Sequence, residues 1–162
     1  MVERKAVYAG TFDPITNGHI DIINRALYIF DHLNVAVSSN PEKKVLFSAD
    51  ERVNQVREAL GKLKTRVTVE AFNGLLVNYV SNLGAKTIIR GLRAVTDYEY
   101  EWQMAVMNRQ LDEEIETVFL MTSPENSFIS SSVVKEIARN KGNVSGLVPT
   151  NVCQYLKGKF VV

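Results

Sequence analysis

The chain predicts an α/β domain: five short parallel strands in one sheet, with helices packed on both faces. Three observations carry that expectation. Short apolar runs alternate with longer amphipathic ones along all 162 residues. The short runs are continuously apolar, as strands buried on both faces are, and do not switch between polar and apolar. The length suits one core and leaves little room for two, so residues 1–162 read as a single domain.

Residues 6–10 form the first apolar run, AVYAG. After it Ile20, Ile23, Leu27 and Phe30 recur three and four apart, the period of one helix face. Residues 33–37 are a second strand candidate. Ser48, Ala49, Asp50 and Glu51 have capping-box spacing, and Val53, Val56, Leu60 and Leu63 continue that helix. Residues 67–69, 87–89 and 117–120 supply the remaining strands. Helical patterns lie over residues 75–83 and through Tyr100, Met104, Met107 and Leu111. A last helix is expected from the serine cluster at 130–132 to Arg139. Right-handed crossovers would gather the loops after each strand at one edge, where open α/β sheets bind ligands.

Composition narrows the function classes. Nineteen Lys and Arg against eighteen Asp and Glu leave a net charge of +1. A nucleic-acid coat or a polybasic membrane binder needs a large positive excess. The single cysteine, Cys153, has no partner within the chain, which suits a reducing interior. No apolar run approaches the ~20 residues of a membrane span. The first residues carry no apolar signal stretch. A cytoplasmic location is expected. His19, His32 and Cys153 cannot make a zinc site of the usual Cys/His kind.

The loops at the ligand edge carry the chemistry. Residues 10–19, GTFDPITNGH, follow the first strand and place Gly18 and His19 at a helix start, where free amides and the helix dipole favour an anion. The second loop brings Lys43 and Lys44, which are either solvated surface or mobile charges for a phosphate. Arg90 and Arg93 flank Gly91 and Leu92 where the fourth strand is expected to end. Their forks match phosphate oxygens, with ion pairs to Asp97, Glu99 or Glu101 as the plainer alternative. Ser127, Phe128, Ile129, Ser130, Ser131 and Ser132 precede the last helix and serve equally as caps or as a phosphate cradle. G-x-x-x-x-G-K-[ST], G-x-G-x-x-G and G-x-S-x-G are all absent. Four anion-binding loops on one edge point to a nucleotide or a pair of phosphorylated ligands.

The segments TFDP with TNGH, and ISSSVVK, resemble the T/H-x-G-H and ISSS/T-x-x-R/K signatures of the nucleotidylyltransferase superfamily, whose fold is Rossmann-like. RGLRAV followed by DYEYE is similar to its bacterial branch that adenylates 4′-phosphopantetheine. That resemblance covers nearly the whole chain. It implies transfer of the adenylyl group of ATP to 4′-phosphopantetheine, giving dephospho-CoA and pyrophosphate. It further implies Mg2+ carried mainly by the ATP phosphates, a homohexamer, and feedback inhibition by CoA. Position by position, it implies that Thr11, Lys43, Arg90 and Leu76 meet phosphopantetheine. Thr11, Phe12, His19, Gly91, Leu92, Arg93, Glu101, Asn126 and residues 127–132 would meet ATP, with His19, Thr11, Lys43 and Arg93 taking part in catalysis. Ala9, Thr122 and Asn126 depart from the commonest residues of that branch. The attacking phosphate is already an anion, so such a site needs positioning and placed positive charge more than a strong base.

Overall fold

The computed structural model describes residues 3–40, 42 and 44–160. Its five strands are β1 (Lys5–Gly10), β2 (His32–Ser38), β3 (Val67–Phe72), β4 (Thr87–Leu92) and β5 (Glu116–Met121). All neighbours are parallel, in the order β3-β2-β1-β4-β5. The helices are α1 (Asn17–Ile29), α2 (Ala49–Ala59), α3 (Leu76–Asn82), α4 (Val95–Leu111), α5 (Ser131–Arg139) and α6 (Thr150–Phe160). The order reverses between β1 and β4, where parallel α/β sheets open a crevice at their carboxyl ends.

Each face of the sheet buries its own apolar cluster. On one face Tyr8, Val35, Val37 and Ile89 pack against side chains of α1, α2, α5 and α6. On the other Val7, Ala9, Ala36 and Ile88 meet Val77 and Val80 of α3. This in-and-out alternation explains why strands read as unbroken apolar runs. β1 pairs with β2 at every position from Lys5 to Gly10, but with β4 only at Val7↔Ile88 and Tyr8↔Ile89.

The Ser48 capping box is present: Ser48 Oγ accepts from the Glu51 N–H at 3.2 Å, and Glu51 Oε2 accepts from the Ser48 N–H at 2.8 Å. Three expectations need correction. β4 continues through Arg90, Gly91 and Leu92, so only Arg93 lies beyond the strand. A strand whose end borders the crevice can carry an arginine there without burying it in the core. Leu63 does not continue α2, which stops at Ala59. Gly61, at φ +53°, turns the chain into a short 3-10 segment. The helix over 131–139 is not the last. α6 follows it, and only Val152 and Leu156 of α6 are fully buried, too sparse a stripe to stand out in the sequence.

Gly91 sets how closely α1 approaches the sheet. A Cβ there would stand 2.9 Å from Ile22 Cγ1, and Ile22 is itself buried. Gly91→Ala is expected to cost about 1–3 kcal/mol through overpacking. Thermal unfolding checks this, at roughly 2–4 °C per kcal/mol for a chain of this size. An unchanged midpoint would show that Ile22 yields freely.

Candidate active site

The crevice between β1 and β4 is a cleft of about 320 Å³. Thr11, Phe12, His19, Arg90, Gly91, Arg93, Glu101 and residues 129–132 line it, so most of the sequence-predicted nucleotide residues do come together. A second cleft of about 220 Å³ shares Gly10, Thr11, Arg90 and Glu101 with the first. It extends over Leu76, Phe72, Tyr100, Met104 and Asn108. Thr11 thus stands where the two clefts meet, the second of mixed polar and apolar lining. A third hollow, bounded by Lys44, Lys135, Asp13 and Ser131, also reaches Thr11.

His19 is held by the helix it begins. Thr16 caps α1, and the His19 ring closes the box in the place usually taken by glutamate or glutamine. The Thr16 N–H donates to His19 Nδ1 at 3.0 Å. A backbone amide can only donate, so Nδ1 must accept, and the proton of the neutral ring belongs on Nε2. Burial, then the charges of Arg93 and Arg90, push the His19 pKa down to about 4. The ring packs edge-on against Phe12, with centroids 5.1 Å apart. At neutral pH His19 is a buried, uncharged donor beside two arginines.

Both arginines are paired. Glu101 takes Arg90 Nε and Nη2 at 2.6 Å each, and Arg90 Nη1 donates to the Ala9 carbonyl. Burial works against the Arg90 charge, but Glu101 outweighs it and leaves its pKa above the ordinary arginine value. Arg93 holds Asp97 through Nε at 3.0 Å and Nη2 at 3.1 Å. The ion-pair alternative weighed from sequence is therefore realised in the structure. Both carboxylates border the cleft, so an entering phosphate competes with them for the guanidinium groups.

Ser130 caps α5 by accepting from the Val133 N–H at 3.2 Å, and Ser131 Oγ donates to the Pro14 carbonyl at 2.8 Å. Other sequence-predicted residues fall elsewhere. Lys43 lies outside the described residues. Leu92 is buried and outside the cleft lining. Asn126, Ser127 and Phe128 belong to the turn before α5 and also lie outside that lining, with Phe128 67% exposed. Sequence reasoning missed Tyr8 and Ile22 as site residues: both belong to the buried core and also form part of the cleft wall. Among the described residues, no group of three or more His, Cys, Asp or Glu side chains is placed to hold a metal ion.

The cytidylyltransferase-like family profile matches residues 7–137. The phosphopantetheine adenylyltransferase of Geotalea daltonii is 54% identical over 155 residues, 96% of each chain. That of Alkaliphilus oremlandii is 53% identical over 155 residues, 96% of this chain and 98% of its own. The chain belongs to the phosphopantetheine adenylyltransferase family. A crystal structure from Vibrio parahaemolyticus described as a nicotinate-nucleotide adenylyltransferase superposes with a TM-score of 0.73 over 98% of this chain and 96% of that one. At 15% identity that likeness speaks to the fold alone.

The depressed His19 pKa has a testable consequence. The unfolded ring titrates near 6.5 and the folded one near 4, so the unfolded chain binds more protons between those values. The stability due to neutral His19 is fully present above pH 6.5 and is lost as pH falls toward 4. NMR of the imidazole nitrogens should show the Nε2–H tautomer at neutral pH and protonation only in that acid range. A ring that titrates at its ordinary pKa would remove the argument for a neutral donor.

Proposed function

We propose that this chain transfers the adenylyl group of Mg-ATP to 4′-phosphopantetheine, giving dephospho-CoA and pyrophosphate, by direct in-line attack and without a covalent enzyme intermediate. The observation that carries the reading is Thr11 at the junction of two clefts, one holding His19 and Arg93 and the other Leu76, Phe72 and Met104, in a chain over half identical to enzymes of that name. The mixed lining of the cleft at Leu76, with apolar Phe72 and Met104 beside Ser38 and Asn108, suits the pantetheine arm, and the cleft at His19 and Arg93 suits the nucleotide.

A phosphate oxygen of phosphopantetheine forms the new bond to the α-phosphorus of ATP, and the bond to the β-phosphate oxygen breaks. The obstacle is repulsion between anions, together with charge building on the α-phosphate and on pyrophosphate. His19 Nε2–H donates to the α-phosphate. Arg93 and the amides opening α5 at Ser131 and Ser132 take the charge of the leaving group. Arg90 and Lys43 hold the incoming phosphate. Mg2+ bound with the triphosphate would offset its charge, while the carboxylates of the cleft, Asp97 and Glu101, are engaged by arginines. Dephospho-CoA, and CoA as feedback inhibitor, would span both clefts.

A homohexamer is part of the same reading. α4 exposes Val95, Trp102, Met107 and Leu111, each at least half exposed, a run that a second copy would cover. No helix of the described residues is long and apolar enough to cross a membrane. A cytoplasmic setting is proposed with it.

Pyrophosphate release from Mg-ATP is expected to require 4′-phosphopantetheine and to fall about 10²–10³-fold in kcat in His19→Ala. Equal release without phosphopantetheine would replace transfer with hydrolysis. Release that survives in the variant would remove His19 from the transition state.

A further inference from the structure

One buried charge has no part in that reaction scheme. Arg52, near the start of α2, is only 2% exposed. Its Nη1 donates to the Thr11 carbonyl at 2.6 Å and to the Ser38 carbonyl at 2.8 Å. Its Nε donates to the Phe47 carbonyl at 3.0 Å. Thr11 follows β1, Ser38 ends β2, and Phe47 leads into α2. A single planar group therefore pins three chain segments at the carboxyl edge of the sheet. Burial pulls its pKa down, while the charge of Asp13 works the other way.

An apolar side chain would fill this space without the cost of burying a charge. What it could not supply is a rigid fork that fixes the directions of several carbonyls at once. Those directions bear on the proposed chemistry. Thr11 stands where the clefts meet, and Ser38 lines the second of them.

We propose that Arg52 is a positioning residue for adenylyl transfer, locking the Thr11 and Ser38 backbones at a fixed separation so that the bound phosphate meets the α-phosphorus in line. This rests on the reaction proposed for the site. Lysine at the position keeps the charge and loses the fork, so Arg52→Lys separates the two.

The experiment compares wild type, Arg52→Lys, Thr11→Ala and the double variant by pyrophosphate release. Each is assayed at a temperature at which circular dichroism shows it folded. Arg52→Lys is expected to lower kcat about 10- to 100-fold, as small misplacements of reacting groups do, with both KM values within about threefold of wild type. In the Thr11→Ala background the same change should cost less than about threefold more, because Arg52 acts through Thr11. A kcat within about twofold of wild type overturns the proposal, as do losses that multiply in the double variant. So does a kcat preserved at the expense of KM. If Arg52→Lys and Arg52→Gln fold at no temperature, Arg52 serves stability alone and the proposal fails. An inactive wild type would overturn the reaction itself and the Arg52 role with it. An active wild type with an indifferent Arg52→Lys overturns only the latter.

Discussion

Asp13 is a carboxylate with almost no access to water, and the active edge of the sheet is assembled around it. Its oxygens accept from the backbone N–H groups of Leu46 and Phe47 at 2.9–3.1 Å, and from Lys135 Nζ at 2.6 Å. Those partners come from the loop before α2 and from the middle of α5, so one buried anion joins three segments that the sheet alone would leave independent. A carboxylate taken from water in this way is tolerable only while every partner stays in place. The requirement runs in both directions: the loops hold the charge, and the charge forbids the loops from drifting apart.

A second electrostatic feature builds on that frame. The cleft collects guanidinium groups, yet each already has a carboxylate from α4. Free cations in so small a space would repel one another and attract any anion. Paired ones wait as neutral units whose positive member can be shared with a ligand phosphate. Burial first, and the charges of Arg93 and Arg90 after it, keep His19 neutral, so the donor proposed for the α-phosphate is unchanged through the neutral pH range. The capping interaction that starts α1 also settles which nitrogen carries the proton. Local helix chemistry and the proposed reaction chemistry thus meet in the same two residues, Thr16 and His19.

How far the sequence reveals this depends on distance along the chain. The Ser48 box was legible because its partners are three residues apart and its residue types are specific to that purpose. The sheet was legible because period and length distinguish strands from helices. The serine cluster at 130–132 declared a helix start in the same way. Pairings across the chain left no such trace. Asp13 and Lys135 are 122 residues apart. Arg52 sits among polar neighbours on α2 and reads as one more solvated charge. The competition at Arg90 and Arg93 was visible as two alternatives, because acidic residues follow closely on α4, but spacing alone could not choose between them. Tyr8 was hidden for a different reason: a wall residue of a cleft that opens beside a strand has the composition of a core residue.

The narrow ladder between β1 and β4 bears on how such a protein tolerates change. Two strands paired only at Val7↔Ile88 and Tyr8↔Ile89 leave a gap that residues of both strands help to line. The part of its wall that is strand, Tyr8 to Gly10 and Arg90 to Gly91, survives insertion, trimming or drift in the loop tips. New recognition can then be written on the rim while the void beneath it keeps its dimensions. An architecture of this kind lends itself to reuse with different second substrates.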